Sequence, residues 1–136
     1  MRPWATTMAC VLSATLALAA GCGGGDEPND ARQVVREFVT AVNERDGEAF
    51  CNEITTREYV EKVTAATGDG AVKQCERQIS RISQPELRVV RLDRAKADGD
   101  RVTVSARLEQ EGEVQRQVFH LVEEDGEFRL TSGATD

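Results

Sequence analysis

The chain has 136 residues, 17 Lys and Arg against 24 Asp and Glu, and a net charge of −7. That length suits one modest core. An acidic chain repels phosphate backbones and anionic lipid, so no nucleic-acid partner is expected. Aromatic residues make up 4% of the sequence and its one Trp is Trp4, too few aromatics for a site that stacks bases or sugars.

Residues 1–21 read as an export leader. After Arg2 comes an apolar run from Trp4 to Ala20, diluted by Thr and Ser and ending in small residues. It is short for a permanent membrane span. The run closes on Leu18-Ala19-Ala20-Gly21-Cys22, followed by Gly23-Gly24-Gly25. This stretch resembles the lipobox of bacterial lipoproteins. The resemblance implies cleavage before Cys22, a diacylglyceryl thioether on its sulfur, and acyl chains such as palmitate holding the protein to the outer face of the cell membrane. Two chains anchor stably where one is marginal. The competing reading is ordinary secretory cleavage at Ala17-Leu18-Ala19.

Cysteine parity separates the two. Of four cysteines, Cys10 lies in the leader and Cys22 at its end, leaving Cys51 and Cys75. Lipidation consumes Cys22 and leaves an even pair, as an oxidising compartment favours. Ordinary cleavage leaves three. A structural disulfide between Cys51 and Cys75 is therefore expected. With no CxxC and a single His, the soft ligands are too few for a structural metal, and the wide spacing argues against a redox pair.

Residues 22–29 read as a glycine-rich acidic tether, and 30–136 as a single domain. A first helix is expected from about Asp30, with Val35, Phe38, Val39 and Val42 at the spacing of one buried face. Asp46 can cap a second, carrying Phe50, Cys51 and Ile54. Thr55-Thr56-Arg57-Glu58 reads as a capping box for a third, with Tyr59, Val60 and Val63 inward. Gly68-Asp69-Gly70 restarts the chain. A fourth helix carries Val72, Cys75, Ile79 and Ile82 on one stripe and Lys73, Arg77 and Arg81 on another, which reads as a solvated face.

After Pro85 the period changes from 3.6 to 2. The first strand, about 86–96, alternates poorly, which predicts a bulge. Asp98-Gly99-Asp100 reads as a hairpin turn. The next strand places Val102, Val104, Ala106 and Leu108 on one face. A third runs over about 114–123, and a fourth over Glu127–Ser132 has Phe128 and Leu130 inward. Helices followed by hairpin-linked strands define an α+β fold: N-terminal helices on a curved antiparallel sheet of about four strands.

The helix in Asp30–Asn43 with Arg45-Asp46-Gly47-Glu48-Ala49-Phe50 after it, and the tail Phe119-His120-Leu121-Val122-Glu123-Glu124-Asp125-Gly126-Glu127-Phe128, resemble the cone-shaped superfamily named after nuclear transport factor 2. Most of residues 30–132 share that likeness, above all to small exported actinobacterial lipoproteins of this type. It implies a curved sheet around helices with a pocket in the cone. Members of the superfamily include isomerases, dehydratases and non-catalytic binding domains, so fold is implied more firmly than function.

His120 is the only His and sits on the third strand, where either face can be inward. It is a pocket candidate, as a base tuned near neutral pH, against the plainer reading of an exposed strand His. Tyr59 is the other candidate, although it does not match the tyrosine of the steroid-isomerising relatives. No catalytic residue, metal ligand or cofactor site is assigned. The expected function is a non-enzymatic binding module for a small apolar ligand or an envelope protein. The alternatives are a small isomerase- or dehydratase-type enzyme and a structural envelope accessory protein.

Overall fold

The computed structural model describes residues 27–135. The leader, Cys10 and Cys22 lie outside the described residues. Three α-helices, α1 (Glu27–Glu44), α2 (Arg57–Thr64) and α3 (Gly68–Ser80), precede five strands. These are β1 (Leu87–Leu92), β2 (Lys96–Asp98), β3 (Arg101–Gln110), β4 (Glu113–Glu124) and β5 (Glu127–Thr135). A short π-type helix, Ala49–Ile54, links α1 to α2.

Helix α1 starts at Glu27, three residues ahead of the expected Asp30, and takes Glu27–Asn29 from the tether. Pro28 permits this, because a first-turn residue has no use for a backbone N–H. Val35, Val39 and Val42 are buried along one stripe, as their spacing predicts. Asp46 does act as a cap, its Oδ1 accepting from Ala49 N at 3.0 Å. The helix it opens is wide: Thr55 N reaches back five residues to Phe50 O at 3.2 Å. Thr55 closes that helix, its hydroxyl bonding the same carbonyl at 2.7 Å. The cap of α2 is therefore Thr56, one residue later than the capping-box reading, and its Oγ1 accepts from Tyr59 N.

Glycine is required at position 47. A Cβ there would sit 2.6 Å from the Glu76 carbonyl oxygen and 2.8 Å from its Cα. The π-type helix thus lies close against α3, and Cys51 and Cys75 join the two in a disulfide with Cα atoms 6.1 Å apart.

The sheet is antiparallel, in the order β1-β3-β4-β5, with β2 also on β3. It has five strands where about four were expected. Where one strand over about 86–96 was expected, residues 87–98 form two strands laid end to end along one edge of β3, β1 against 106–110 and β2 against 101–103. The β1 register slips between Val89 and Arg91; Asp93 N still donates to Ser105 O of β3 at 2.8 Å, and Arg94 and Ala95 then leave the ladder, with Ala95 buried.

Two apolar clusters result. One lies between α1 and the sheet, around Val35, Val104, Phe119, Leu121 and Leu130. The other fills the helical layer around Phe50, Cys51, Val60, Val72 and Cys75. Phe38, Tyr59, Val34 and Leu87 pack against both and join them.

Candidate functional site

A concavity of about 360 Å³ opens where the end of α1 and the end of α3 face the β3–β4 hairpin. Its apolar side comes from the helices: Phe38 and Val42 of α1, Phe50, Tyr59 of α2 and Ile79 of α3, with Ile82 beyond. Leu87 of β1 and Leu108 of β3 complete it. The rim is polar, formed by Gln84, Gln110, Gln115 and Gln117, with Glu113 at the mouth.

Aromatic contacts build the floor. Phe38 meets Phe119 edge-on at 5.3 Å and Phe50 at 5.5 Å, and Phe50 lies 6.5 Å from Tyr59. Such geometries add to simple burial. Four of the few aromatic side chains thus form one line beneath the cavity. Beside the cavity a two-bond clamp joins α1 to β1. Asn43 Nδ2 donates to Leu87 O at 2.8 Å, and Leu87 N donates to Asn43 Oδ1 at 2.9 Å.

Tyr59 lies where the cavity needs a polar group. Burial raises its hydroxyl above the ordinary tyrosine pKa, so it stays protonated at neutral pH. The Tyr59 hydroxyl and the Gln84, Gln115 and Gln117 amides have no hydrogen-bond partner among the described residues. Gln110 is fixed, its Nε2 donating to Pro85 O at 2.9 Å. The arrangement presents hydrogen-bond donors and acceptors above an apolar floor. Its lining includes no Lys, Arg or His, and one carboxylate.

His120 is elsewhere. Its strand neighbours Phe119 and Leu121 are both fully buried, so the inner face of β4 is the odd-numbered one. His120 projects from the opposite face into solvent, with Nδ1 3.4 Å from Thr103 Oγ1. It therefore leaves the set of cavity residues. The structure brings together Tyr59 and the glutamines, and it does not bring His120 to them.

Gln115 and Gln117 were missed because β4 carries apolar residues at both parities, with Val114, Val118 and Val122 on one and Phe119 and Leu121 on the other. The signal that resolves it is the pairing with β3. Val104, Ala106 and Leu108 are inward by their alternation, and Phe119, Gln117 and Gln115 stand directly opposite them.

No helix among the described residues is long and apolar enough to cross a membrane. No group of three or more His, Cys, Asp or Glu among them is placed to hold a metal ion.

No protein family model matches the chain, and no curated protein is significantly similar to it. Solved structures do match. A de novo designed protein with a curved β-sheet shares 21% identity, with a TM-score of 0.50 over 77% of this chain and 97% of its own. An NTF2-like protein of unknown function from Silicibacter pomeroyi shares 12%, with a TM-score of 0.50 over 82% and 97%. Another, from Cytophaga hutchinsonii, shares 15%, with a TM-score of 0.45 over 78% and 89%. At these identities the likeness is one of fold. The protein has the NTF2-like architecture, helices cupped by a curved antiparallel sheet.

Proposed function

We propose that the protein is an exported lipoprotein, anchored through Cys22 to the outer face of the bacterial membrane, whose cone binds a small ligand without catalysis. The observation that carries the binding reading is the lining of the cavity. An apolar floor beneath unpartnered amides and a neutral Tyr59 hydroxyl suits a molecule with an apolar body and an uncharged polar end. A free carboxylate or phosphate on the ligand would meet Glu113 and no cation. An isomerase-type site needs a base converging with Tyr59 in a dry pocket. The one carboxylate of the lining, Glu113, is exposed at the mouth. That favours binding over turnover.

The address rests on the leader, the Leu18–Cys22 stretch and the parity that leaves Cys51 with Cys75. Its test is fractionation: Cys22→Ser moves the protein from the membrane to the soluble fraction, and unchanged association refutes the anchor. The binding reading is tested by native mass spectrometry of the full chain extracted from its own membranes. A small-molecule adduct is expected, lost in Gln117→Trp, which fills the cavity. Chemical conversion of that molecule on incubation would move the assignment to the enzyme. Absence of any adduct would move it to an envelope accessory role.

A further inference from the structure

The outer face of the sheet is electrically unlike the rest of the chain. Register sets Arg91 of β1 opposite Arg107 of β3, and Arg107 opposite Arg116 of β4. Three arginines thus occupy one row across three adjacent strands, spanning about 10 Å at the usual strand spacing. All three are exposed. Like charges directly opposite one another oppose sheet formation, so the row is no aid to folding. Arg88, Arg101 and Lys96 share this face by the same registers. Among the described residues, six cations over β1–β4 meet four carboxylates, Asp93, Asp98, Glu109 and Glu124, on a chain whose net charge is −7, and β5 adds Glu127 and Arg129 at the far edge of the face. Arg107 has no carboxylate within ion-pair distance among them. Two half-exposed valines, Val90 and Val114, flank the row.

We infer that this face docks on anionic phospholipid headgroups of the membrane in which the chain is anchored. The inference rests in part on the lipoprotein reading. Cys22 lies five residues before α1, which covalent geometry limits to about 18 Å. The early part of α1 is tied to the arginine row, since Arg32 Nη2 donates to the carbonyl of Leu92, the neighbour of Arg91, at 3.2 Å. The tether is therefore long enough for the anchor to reach the β1 edge of the sheet, the edge that carries Arg91. Basic side chains beside aliphatic ones on one surface suit a bilayer interface, where the charge meets headgroups and the valines meet the acyl boundary. A second copy of the chain fits less well. A two-fold contact through this face would set one arginine row against another.

The test uses the full chain purified from its own membranes and reconstituted in vesicles of phosphatidylcholine alone or mixed with phosphatidylglycerol. Arginine modification by phenylglyoxal is followed residue by residue. Arg91, Arg107 and Arg116 should react about five-fold more slowly on the anionic vesicles, the factor expected per basic residue at such a surface. Arg77, exposed on α3, should react equally on both, and high salt should abolish the difference. In the double variant Arg91→Gln/Arg107→Gln the protection of Arg116 should be lost. In the charge-matched Lys73→Gln/Arg77→Gln it should persist. Equal rates on the two vesicles, or protection on phosphatidylcholine alone, overturn the proposal, the second pointing to a contact between copies. Loss of protection in both double variants overturns it too, in favour of bulk charge. Flotation with phosphatidylcholine vesicles at high salt reports the anchor separately. If flotation fails, the anionic vesicles still test the face.

Discussion

Strand β4 puts two surfaces on one backbone. Its odd positions run from Glu113, Gln115 and Gln117 at the mouth to Phe119 and Leu121 in the core, and its even positions carry Val114, Arg116, Val118 and His120 toward solvent. The inner set is decided by packing. Phe119 is fully buried against Phe38, and polarity rises only where the helices draw away and the cavity opens. The outer set is decided by register, which lines up charges that lie far apart along the chain. The inner face needs a shape, whereas the outer face needs only a pattern. Substitutions should therefore cost stability on the inner side, and on the outer side cost little or none while changing what the protein touches.

The sharpest contrast is between neighbours. Phe119→Ala should cost about 3–5 kcal/mol, because it removes a ring from a closed core and leaves a void. His120→Ala, one residue on, should stay within about 0.5 kcal/mol. Urea denaturation of both variants measures the gap, and comparable losses would erase the distinction between the faces.

Next in size is the staple on the helical layer that covers the inner face. The Cys51–Cys75 bridge closes a sequence separation of 24 residues, worth about 3.5 kcal/mol by chain entropy. The double variant Cys51→Ala/Cys75→Ala should lower the unfolding midpoint by that order and loosen the cavity. Hydrogen exchange should accelerate in the π-type helix and α3 and stay unchanged in the hairpin of β3 and β4. Uniform acceleration would show that the layers do not open separately.

Tyr59 gives the inner face a pH signature. Its pKa is raised in the folded protein by burial, so the folded state holds the proton more tightly than the unfolded chain. The resulting stability is fully present below the unfolded pKa of about 10 and is lost as pH rises through the higher folded value. Tyr59 is the sole tyrosine, so an absorbance titration of the phenolate reads it directly. The midpoint should lie above 10 when folded and return to about 10 in denaturant. Tyr59→Phe should flatten the alkaline fall in stability, and an unchanged slope would place the ring in water.

Helices α1 and α3 and strand β3 were legible because each has one dominant periodicity, whereas Val63, expected inward on α2, is exposed. Val35, Val39 and Val42, or Val102 through Leu108, allow a single burial pattern, and Asp46 announces its cap. The disulfide was legible from parity. What stayed hidden depends on neighbours in space. Residues 86–96 hold enough apolar residues for one strand, and only the edge of β3 shows that the strand stops at Leu92 and a second begins at Lys96. The π-type helix has no period of its own. On β4 both parities carry branched or aromatic residues, so the glutamines of the cavity and the exposure of His120 follow from the partner strand. Net charge reveals least, because an average over the chain cannot show that six cations share one face.

The smallest effect tests that last point by its sign. Arg107 stands between Arg91 and Arg116 with no carboxylate of its own among the described residues. Neutralising it should relieve repulsion on both sides, and Arg107→Gln should stabilise the folded chain by about 0.2–1 kcal/mol. Added salt should shrink the gain, because exposed charges a strand apart are screened by ions. A surface arginine that does nothing for the fold gives no change, and one that supports it gives a loss. Only a residue held against the interest of stability gives a salt-sensitive gain, and guanidine-free thermal melts at two ionic strengths distinguish the three.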